Sequence, residues 1–212
     1  DFRNFDIAKG GKGAPLIPHF HQYLLSEKGT EQLVLNIGGI CNGTHLKDEE
    51  IVHSSDIGPG NCLLDATMRN FNLGKFDSDG LMASKGNVDN ILLEKLLHEI
   101  DFLTYPRADD LSLYLNLMET YKKFLAEKNP EDVLCTFVEL TVRKIEEYFN
   151  FCGAPAKVIF HGGGTENKYL MKRIKEMIKI EISTIDSLIS SKYVESAAFA
   201  YLAYKERAVL FR

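Results

Sequence analysis

Two apolar runs of strand length each end in consecutive glycines. Leu33-Val34-Leu35-Asn36-Ile37 runs into Gly38-Gly39, and Lys157–Phe160 runs through His161 into Gly162-Gly163-Gly164. A buried strand that stops at glycine and turns towards a helix is an α/β device, and here it occurs twice. Without a Cβ, glycine lets backbone N–H groups come close to phosphate oxygens or a flat purine, and the second bend opens a helix whose N-terminus favours anions. The same bends also read as tight turns that hold no ligand. Neither is a Walker loop, because no Gly-Lys-Ser/Thr follows.

Around these bends the periodicity predicts a fold. Short strands at 33–37, 44–46 and 50–53 form a meander that Gly58-Pro59-Gly60 breaks. Asn61 is placed to cap a helix with Leu63, Leu64, Met68 and Phe71 on its apolar stripe. Residues 90–100 put Leu92, Leu93, Leu96, Leu97 and Ile100 on one helical face. Residues 107–125 fit both periods, and helix is preferred. Asn129 and Pro130 start a helix with one apolar face through Val133, Phe137, Val138, Thr141, Ile145 and Phe149. A strand at 157–160, a helix from Asn167, a strand at 180–185 and a helix at 193–207 complete the order. Residues 1–20, rich in Gly and Pro, read as irregular. The expected fold class is α/β, a mixed β-sheet flanked by helices. No repeat, linker or low-complexity tract divides it, and 212 residues at ~150 per domain fit a single domain.

Charge narrows the function. Lys+Arg 25 against Asp+Glu 30 gives −5, so there is no basic surplus to neutralise a nucleic-acid backbone. No apolar run approaches the ~20 residues that span a bilayer, and the opening Asp1-Phe2-Arg3 has no Met, basic n-region or h-region. The expectation is a cytoplasmic chain with no membrane or nucleic-acid partner, beginning inside a longer protein. Cys41, Cys62, Cys135 and Cys152 make no C-x-x-C pair and read as small buried hydrophobes. His19 and His21 lie two apart with no third ligand at a recognised spacing, so no metal site is expected.

One carboxylate has a distinctive setting. In Ser54-Ser55-Asp56-Ile57-Gly58-Pro59-Gly60-Asn61 an Asp ends a strand and meets a rigid turn into a helix N-terminus. Nearby N–H dipoles would keep Asp56 ionised, as a general base must be. An Asp that only hydrogen-bonds turn amides reads equally well. Arg3 and Asp6 stand beside the glycine-rich stretch 10–13, which suits a polar ligand or a solvated loop. Glu195, at the start of an Ala-rich helix, reads as a partner of the helix dipole.

Taken together and in order, these segments resemble one family. Asp1 to Pro18, Val34-Leu35-Asn36-Ile37-Gly38-Gly39-Ile40-Cys41-Asn42, Asp56-Ile57-Gly58-Pro59-Gly60-Asn61, Phe76-Asp77-Ser78-Asp79-Gly80, His161-Gly162-Gly163-Gly164-Thr165-Glu166-Asn167 and Glu195 to Ala203 are similar to motifs of the anhydro-N-acetylmuramic acid kinases. These form a branch of the sugar-kinase, actin and hexokinase superfamily. The resemblance implies an actin/hexokinase-like (ribonuclease H-like) lobe at 31–212, led by a substrate-loop segment at 1–30, with ATP and Mg²⁺ as cofactors. It implies opening of the 1,6-anhydro ring of an amino sugar with phosphorylation at O6. Asp56 then corresponds to the base, Gly38 and Gly39 to a phosphate loop, and Gly162, Gly163, Gly164 and Asn167 to the adenosine-side loop. Arg3, Asp6, Gly58, Pro59, Gly60 and Glu195 correspond to sugar-site positions.

The resemblance also has gaps. The family's first phosphate loop and N-terminal lobe have no counterpart here, so a partner chain or a homo-oligomer is expected to cover the exposed face. Ile57 stands where the family usually has Thr, Tyr105-Pro106-Arg107-Ala108-Asp109-Asp110-Leu111-Ser112 displaces a Pro-Lys-Ser-Thr-Gly-Arg-Glu-Phe run, and His161 replaces the usual Cys. A degenerate, non-catalytic lobe acting as a binding or structural subunit is the alternative these gaps support. A third reading keeps the fold as an ATP-binding module for another sugar.

Overall fold

Leu33, Val34, Leu35 and Ile37 are all buried, so the run they form is covered on both faces, as a central strand must be. In the computed structural model, which describes residues 8, 16–100 and 104–210 (without the side chains of 206–210), this run is β1 (Glu31–Ile37). It pairs antiparallel with β2 (Ile40–Lys47), and β2 pairs antiparallel with β3 (Glu50–Pro59). On its other side β1 pairs parallel with β4 (Lys157–His161), which pairs parallel with β5 (Ile182–Thr184). The order is β3-β2-β1-β4-β5, a mixed sheet as the element order predicts.

Helices cover both faces. On one lie α2 (Cys62–Asn70), α3 (Asn90–Ile100), α4 (Leu111–Thr120), α5 (Lys122–Ala126), α6 (Pro130–Phe151) and α7 (Lys168–Ile178), which share a core with Leu33, Leu35, Ile37 and Phe160. On the other, α1 (Pro18–Leu25) and α8 (Val194–Leu210) close over Val34, Leu46 and Ile159. The alternation of β1 between the two clusters is the period-2 rule at work.

The spine is α6, 22 residues long and about 33 Å at 1.5 Å per residue. Its start is written locally. Asn129 Oδ1 accepts the Glu131 N–H at 3.0 Å, with Pro130 in the first turn and Glu131 and Asp132 at the positive end. The single apolar face expected for this helix is too narrow. Every residue from Val133 to Val142 is buried, Glu139 included, because α6 sits between the sheet and the other helices. It presses so close that a Cβ on Gly43 would lie 2.4 Å from the Tyr148 ring.

Two other expectations are corrected. The stretch read as irregular up to residue 20 contains the start of α1, where Pro18 takes the first helical position and Phe20, His21 and Leu25 turn inward. Gly58-Pro59 does not break the meander after 53, because β3 runs on to Pro59. β3 is the edge strand of the sheet, and its last residue is a place where a missing N–H costs little. Of the 107–125 stretch, the part from Leu111 on is helical, as α4 and α5, while 107–110 is non-helical and Asp110 caps α4 by accepting the Ser112 N–H.

Candidate active site

β1 and β4 are parallel neighbours, and two antiparallel steps make β3 run the same way, so the three strands end at one edge of the sheet. In open α/β sheets ligands bind outside such carboxyl ends. Here the ends are fastened together. Asn61 N–H donates to the Gly38 carbonyl at 2.8 Å, and the N–H groups of Gly60 and Cys62 donate to the Gly39 carbonyl at 3.0 and 3.1 Å. A Cβ on Gly60 would sit 2.3 Å from the Gly38 oxygen, so no other residue permits this approach. Asn61 does not cap α2 with its side chain. Its Nδ2 instead donates to the Ile37 carbonyl at 3.4 Å, adding another tie to β1.

The second bend lies directly on the first. Gly162 has φ 90 and ψ 167, a backbone region open in practice only to glycine. A Cβ there would lie 2.2 Å from Asn36 Oδ1 and 2.8 Å from the Ile37 carbonyl oxygen. Gly164 packs on the Ile37 side chain. The two glycine bends thus form one surface, and two cavities open on it. One, of about 270 Å³, lies among Asn36, Gly38, His161, Gly162 and Glu195. The other, of about 280 Å³, lies among Asn61, Asp65, Phe76, Asp79 and Asn167. Gly163 and Glu166 are on the wall of both.

Asn167 works on two sides. Its Oδ1 accepts the Leu170 N–H at 3.0 Å, capping α7, and it abuts Gly80, whose φ is +70. Asp77 fixes that opposing turn by accepting the N–H groups of Met82 and Ala83, both at 2.9 Å. Asp77 is nearly buried, and no role was assigned to it from the sequence. Its only signal was the Asp-Ser-Asp-Gly turn chemistry of 77–80.

Asp56 lines neither cavity. It lies inside β3, three residues before the strand's end, not at a strand terminus as its spacing suggested. The register nevertheless aligns it with the site. Asp56 pairs with Asn42, Asn42 with Asn36, and Asn36 with His161. Residues paired in register share a sheet face, so these four form one polar row, with Asp56 about 10 Å from Asn36 across two strand spacings. Two members of the row, Asn36 and His161, line the cavity that includes Glu195. Nothing in the sequence pattern gives Asn36 or Asn42 a role. Only a polar residue inside an apolar strand could have marked Asn36.

The strap after α3 holds Asp56. Its Oδ2 accepts the Asp109 N–H at 2.7 Å, and its own N–H donates to the Arg107 carbonyl at 2.9 Å. Among the described residues Oδ1 accepts no hydrogen bond. Burial pushes the carboxyl above the ordinary Asp value and the Asp109 charge adds to this, while the Asp109 N–H and the Arg107 guanidinium act against it. An N–H dipole does reach Asp56, but from the strap and not from the Gly-Pro-Gly stretch. Asp109, which the sequence did not single out, is itself held by Arg107 Nε at 3.0 Å and by the Tyr114 hydroxyl.

The remaining expected positions divide. Gly58 and Pro59 are buried against α6, where Thr141 Oγ1 donates to the Pro59 carbonyl at 2.9 Å and Gly58 faces the Lys144 stem. Glu195 is exposed in the first turn of α8. Arg3 and Asp6 lie outside the described residues.

A sequence model of the anhydro-N-acetylmuramic acid kinases matches residues 1–210. The chain belongs to this family. Kinases of this name from Gamma-proteobacterium EBAC31A08 and Pseudomonas savastanoi pv. phaseolicola are 40% and 39% identical, over 97% and 96% of the chain. The chain spans 57% of the length of each. Among solved structures, the activator of 2-hydroxyisocaproyl-CoA dehydratase from Clostridium difficile, with bound ADPNP, aligns at TM-score 0.55 and 11% identity, covering 91% of this chain and 67% of that one. Component A of the Acidaminococcus fermentans (R)-2-hydroxyglutaryl-CoA dehydratase aligns at TM-score 0.55 and 15% identity, over 91% and 68%. These neighbours support the actin-like ATPase fold.

The departures from the anhydro-N-acetylmuramic acid kinase pattern have defined places. Ile57 is fully buried in the core beneath β3. Residues 105–109 form the strap on Asp56. His161 is buried at 1% exposure and pairs its Nε2 with His21 Nε2 at 2.9 Å.

Proposed function

We propose that this chain is the nucleotide- and sugar-binding lobe of an ATP-dependent amino-sugar kinase that opens 1,6-anhydro-N-acetylmuramic acid and phosphorylates O6, a step of cell-wall recycling in the cytoplasm. One observation carries the reading. Two glycine bends at parallel strand ends pack into a single surface with open cavities, and a polar row leads from it to a half-buried carboxylate. Phosphoryl transfer depends on positioning and charge neutralisation, which such a surface supplies.

ATP enters as its Mg²⁺ complex, the metal arriving on the phosphates. The phosphates lie against Gly38 and Gly39, and the adenosine against Gly162, Gly163, Gly164 and Asn167. The sugar lies over the polar row, with Glu195, Arg3, Asp6 and the Gly58-Pro59-Gly60 end of β3 as its site. Asp56 takes a proton from water as the water oxygen bonds to C1. The C1–O6 bond breaks, O6 bonds to the γ-phosphorus, and ADP leaves. The complementary wall comes from a region beyond the length spanned here or from a partner chain, and self-association is expected where that wall is absent.

Two glycine substitutions test the cradle. Gly162→Ala forces a side chain against the Ile37 carbonyl at positive φ, so it lowers stability by roughly 1–3 kcal/mol. A Cβ on Gly163 would meet nothing within 4 Å and would project into open space on the cavity wall. Gly163→Ala therefore leaves the urea midpoint unchanged and weakens ATP binding at least tenfold in a calorimetric titration. Unchanged ATP affinity in a folded Gly163→Ala chain rejects the adenosine-side role of this loop.

The strap favours a second reading, a binding lobe without catalysis, because it occupies the outer edge of β3 and donates to Asp56. An assay for sugar phosphate with the complementary region supplied separates the two readings. Sugar phosphate formed in proportion to ADP rejects the second.

A further inference from the structure

On the sheet face opposite the polar row, the last turn of α6 meets β2 and β3, and there two histidines and a thiol converge. One ring nitrogen of His45, one of His53 and the Cys152 sulfur all lie within 4.8 Å of one another. His45 and His53 stand directly opposite on paired strands, and Cys152 follows the last residue of α6. No sequence spacing brings these three together, so only the fold reveals the group.

We propose that His45, His53 and Cys152 bind one Zn²⁺, at a site separate from the nucleotide surface. The first support is the outer layer. A histidine that holds zinc through one nitrogen ordinarily gives its other N–H to a fixed acceptor. Nε2 of His45 lies 2.9 Å from Glu31 Oε1, a carboxylate that Lys47 steadies at 3.1 Å. Nδ1 of His53 lies 3.2 Å from the Tyr148 hydroxyl, which donates to the Gly43 carbonyl and so accepts from the ring. That leaves His53 Nε2 with its lone pair 3.9 Å from the Cys152 sulfur.

The second support is an orphan. Nδ1 of His45 is buried and has no hydrogen-bond partner among the described residues. A buried nitrogen lone pair without a partner costs free energy unless a proton donor or a cation meets it. Tetrahedral zinc, with bonds of about 2.0–2.3 Å, spaces its ligands about 3.5 Å apart. The 3.9 Å separation of His53 and Cys152 approaches this, and side-chain rotation closes the rest. Two nitrogens and a soft sulfur suit zinc and not Mg²⁺ or Ca²⁺, which take oxygen. The carbonyl end of α6 favours a cation there. On binding, the thiol proton leaves to solvent and a sulfur–metal bond replaces the S–H bond. The fourth position goes to water.

The test uses the full 212-residue chain, stripped of metal by a chelator and titrated with Co²⁺ and then Zn²⁺. One equivalent of Co²⁺ is expected to raise a thiolate-to-cobalt charge-transfer band, which one equivalent of Zn²⁺ abolishes. Cys152→Ser removes the band, and Cys135→Ser, a thiol outside the cluster, keeps it. Glu31→Gln, at a half-exposed β1 position, weakens Zn²⁺ binding about 10–100-fold. No band in the parent chain, a band that survives Cys152→Ser, or an unchanged Zn²⁺ affinity in Glu31→Gln overturns the site. If Cys152→Ser fails to fold, the Glu31→Gln affinity decides.

Discussion

In an enzyme completed by its complementary region, Asp56→Asn is expected to lower sugar-phosphate formation about 10²–10⁴-fold, the range a lost general base accounts for. ATP affinity stays within twofold, because Asp56 lines neither cavity. Asn suits the test because its side-chain oxygen can still accept the Asp109 N–H that Oδ2 now accepts, so the strap remains docked. What is lost is the ability to take a proton. The pH profile gives a second readout. Burial and the Asp109 charge raise the Asp56 carboxyl, so the acid limb of kcat/KM lies above the ordinary Asp value and activity falls as pH drops through it. Asp109→Asn removes one of the raising charges while leaving the backbone N–H in place, so it moves that limb to lower pH. Near-normal turnover in Asp56→Asn removes this residue from the base role. Loss of ATP binding instead of turnover assigns it to the nucleotide.

The parts of the fold that were legible in the sequence are those set by neighbours in the chain. Asn129-Pro130 carries its capping chemistry within three residues and caps its helix as expected, and the helix expected from Asn167 starts there, whereas the cap expected of Asn61 does not form. The glycine bends were legible because consecutive glycines after an apolar run have few other uses. What could not be read depends on partners far along the chain. α6 is buried on several sides only because the sheet and the surrounding helices meet there. β3 passes through Gly58 and Pro59 only because the strand lies at an edge. The setting of Asp56 is mixed in the same way. Its residue type and turn context marked it as a carboxylate of interest, yet the group that holds it, Asp109, lies 53 residues away. The polar row His161, Asn36, Asn42 and Asp56 is a product of strand register, which a single sequence does not display.

The pair formed by His21 and His161 has the largest consequence for stability. Both are 1% exposed, and their Nε2 atoms share one hydrogen bond while His21 Nδ1 meets Thr44 Oγ1 at 2.9 Å. Burial pushes His161 down to about 4, and burial together with the His161 charge drives His21 well below its ordinary value. Unfolded, each takes up a proton near pH 6.5. Between about pH 4 and 6.5 the unfolded chain therefore binds more protons than the folded one, so stability rises with pH across that window and is lost on acidification. For His161 the difference of about 2.5 pH units, at 1.36 kcal/mol each, comes to roughly 3 kcal/mol. That is a large fraction of the ~5–15 kcal/mol that holds a domain together. The carboxyls held low in the folded chain (Glu31, Asp89, Asp110, Asp186) lose their contribution only below their ordinary values near 4. Between pH 7 and 4.5 the urea midpoint therefore follows chiefly the histidines, with His53, also pushed down by burial, adding to the pair and with Asp56 and Asp65, pushed up by burial, acting against it. The expected result is a steep fall in the midpoint over this range, reduced by about one proton's slope in His161→Gln. A flat profile in the parent chain shows that the pair is not held neutral. Because His161 leads directly into Gly162, charging it also loosens the bend packed on Asn36, and ATP affinity should fall over the same pH interval.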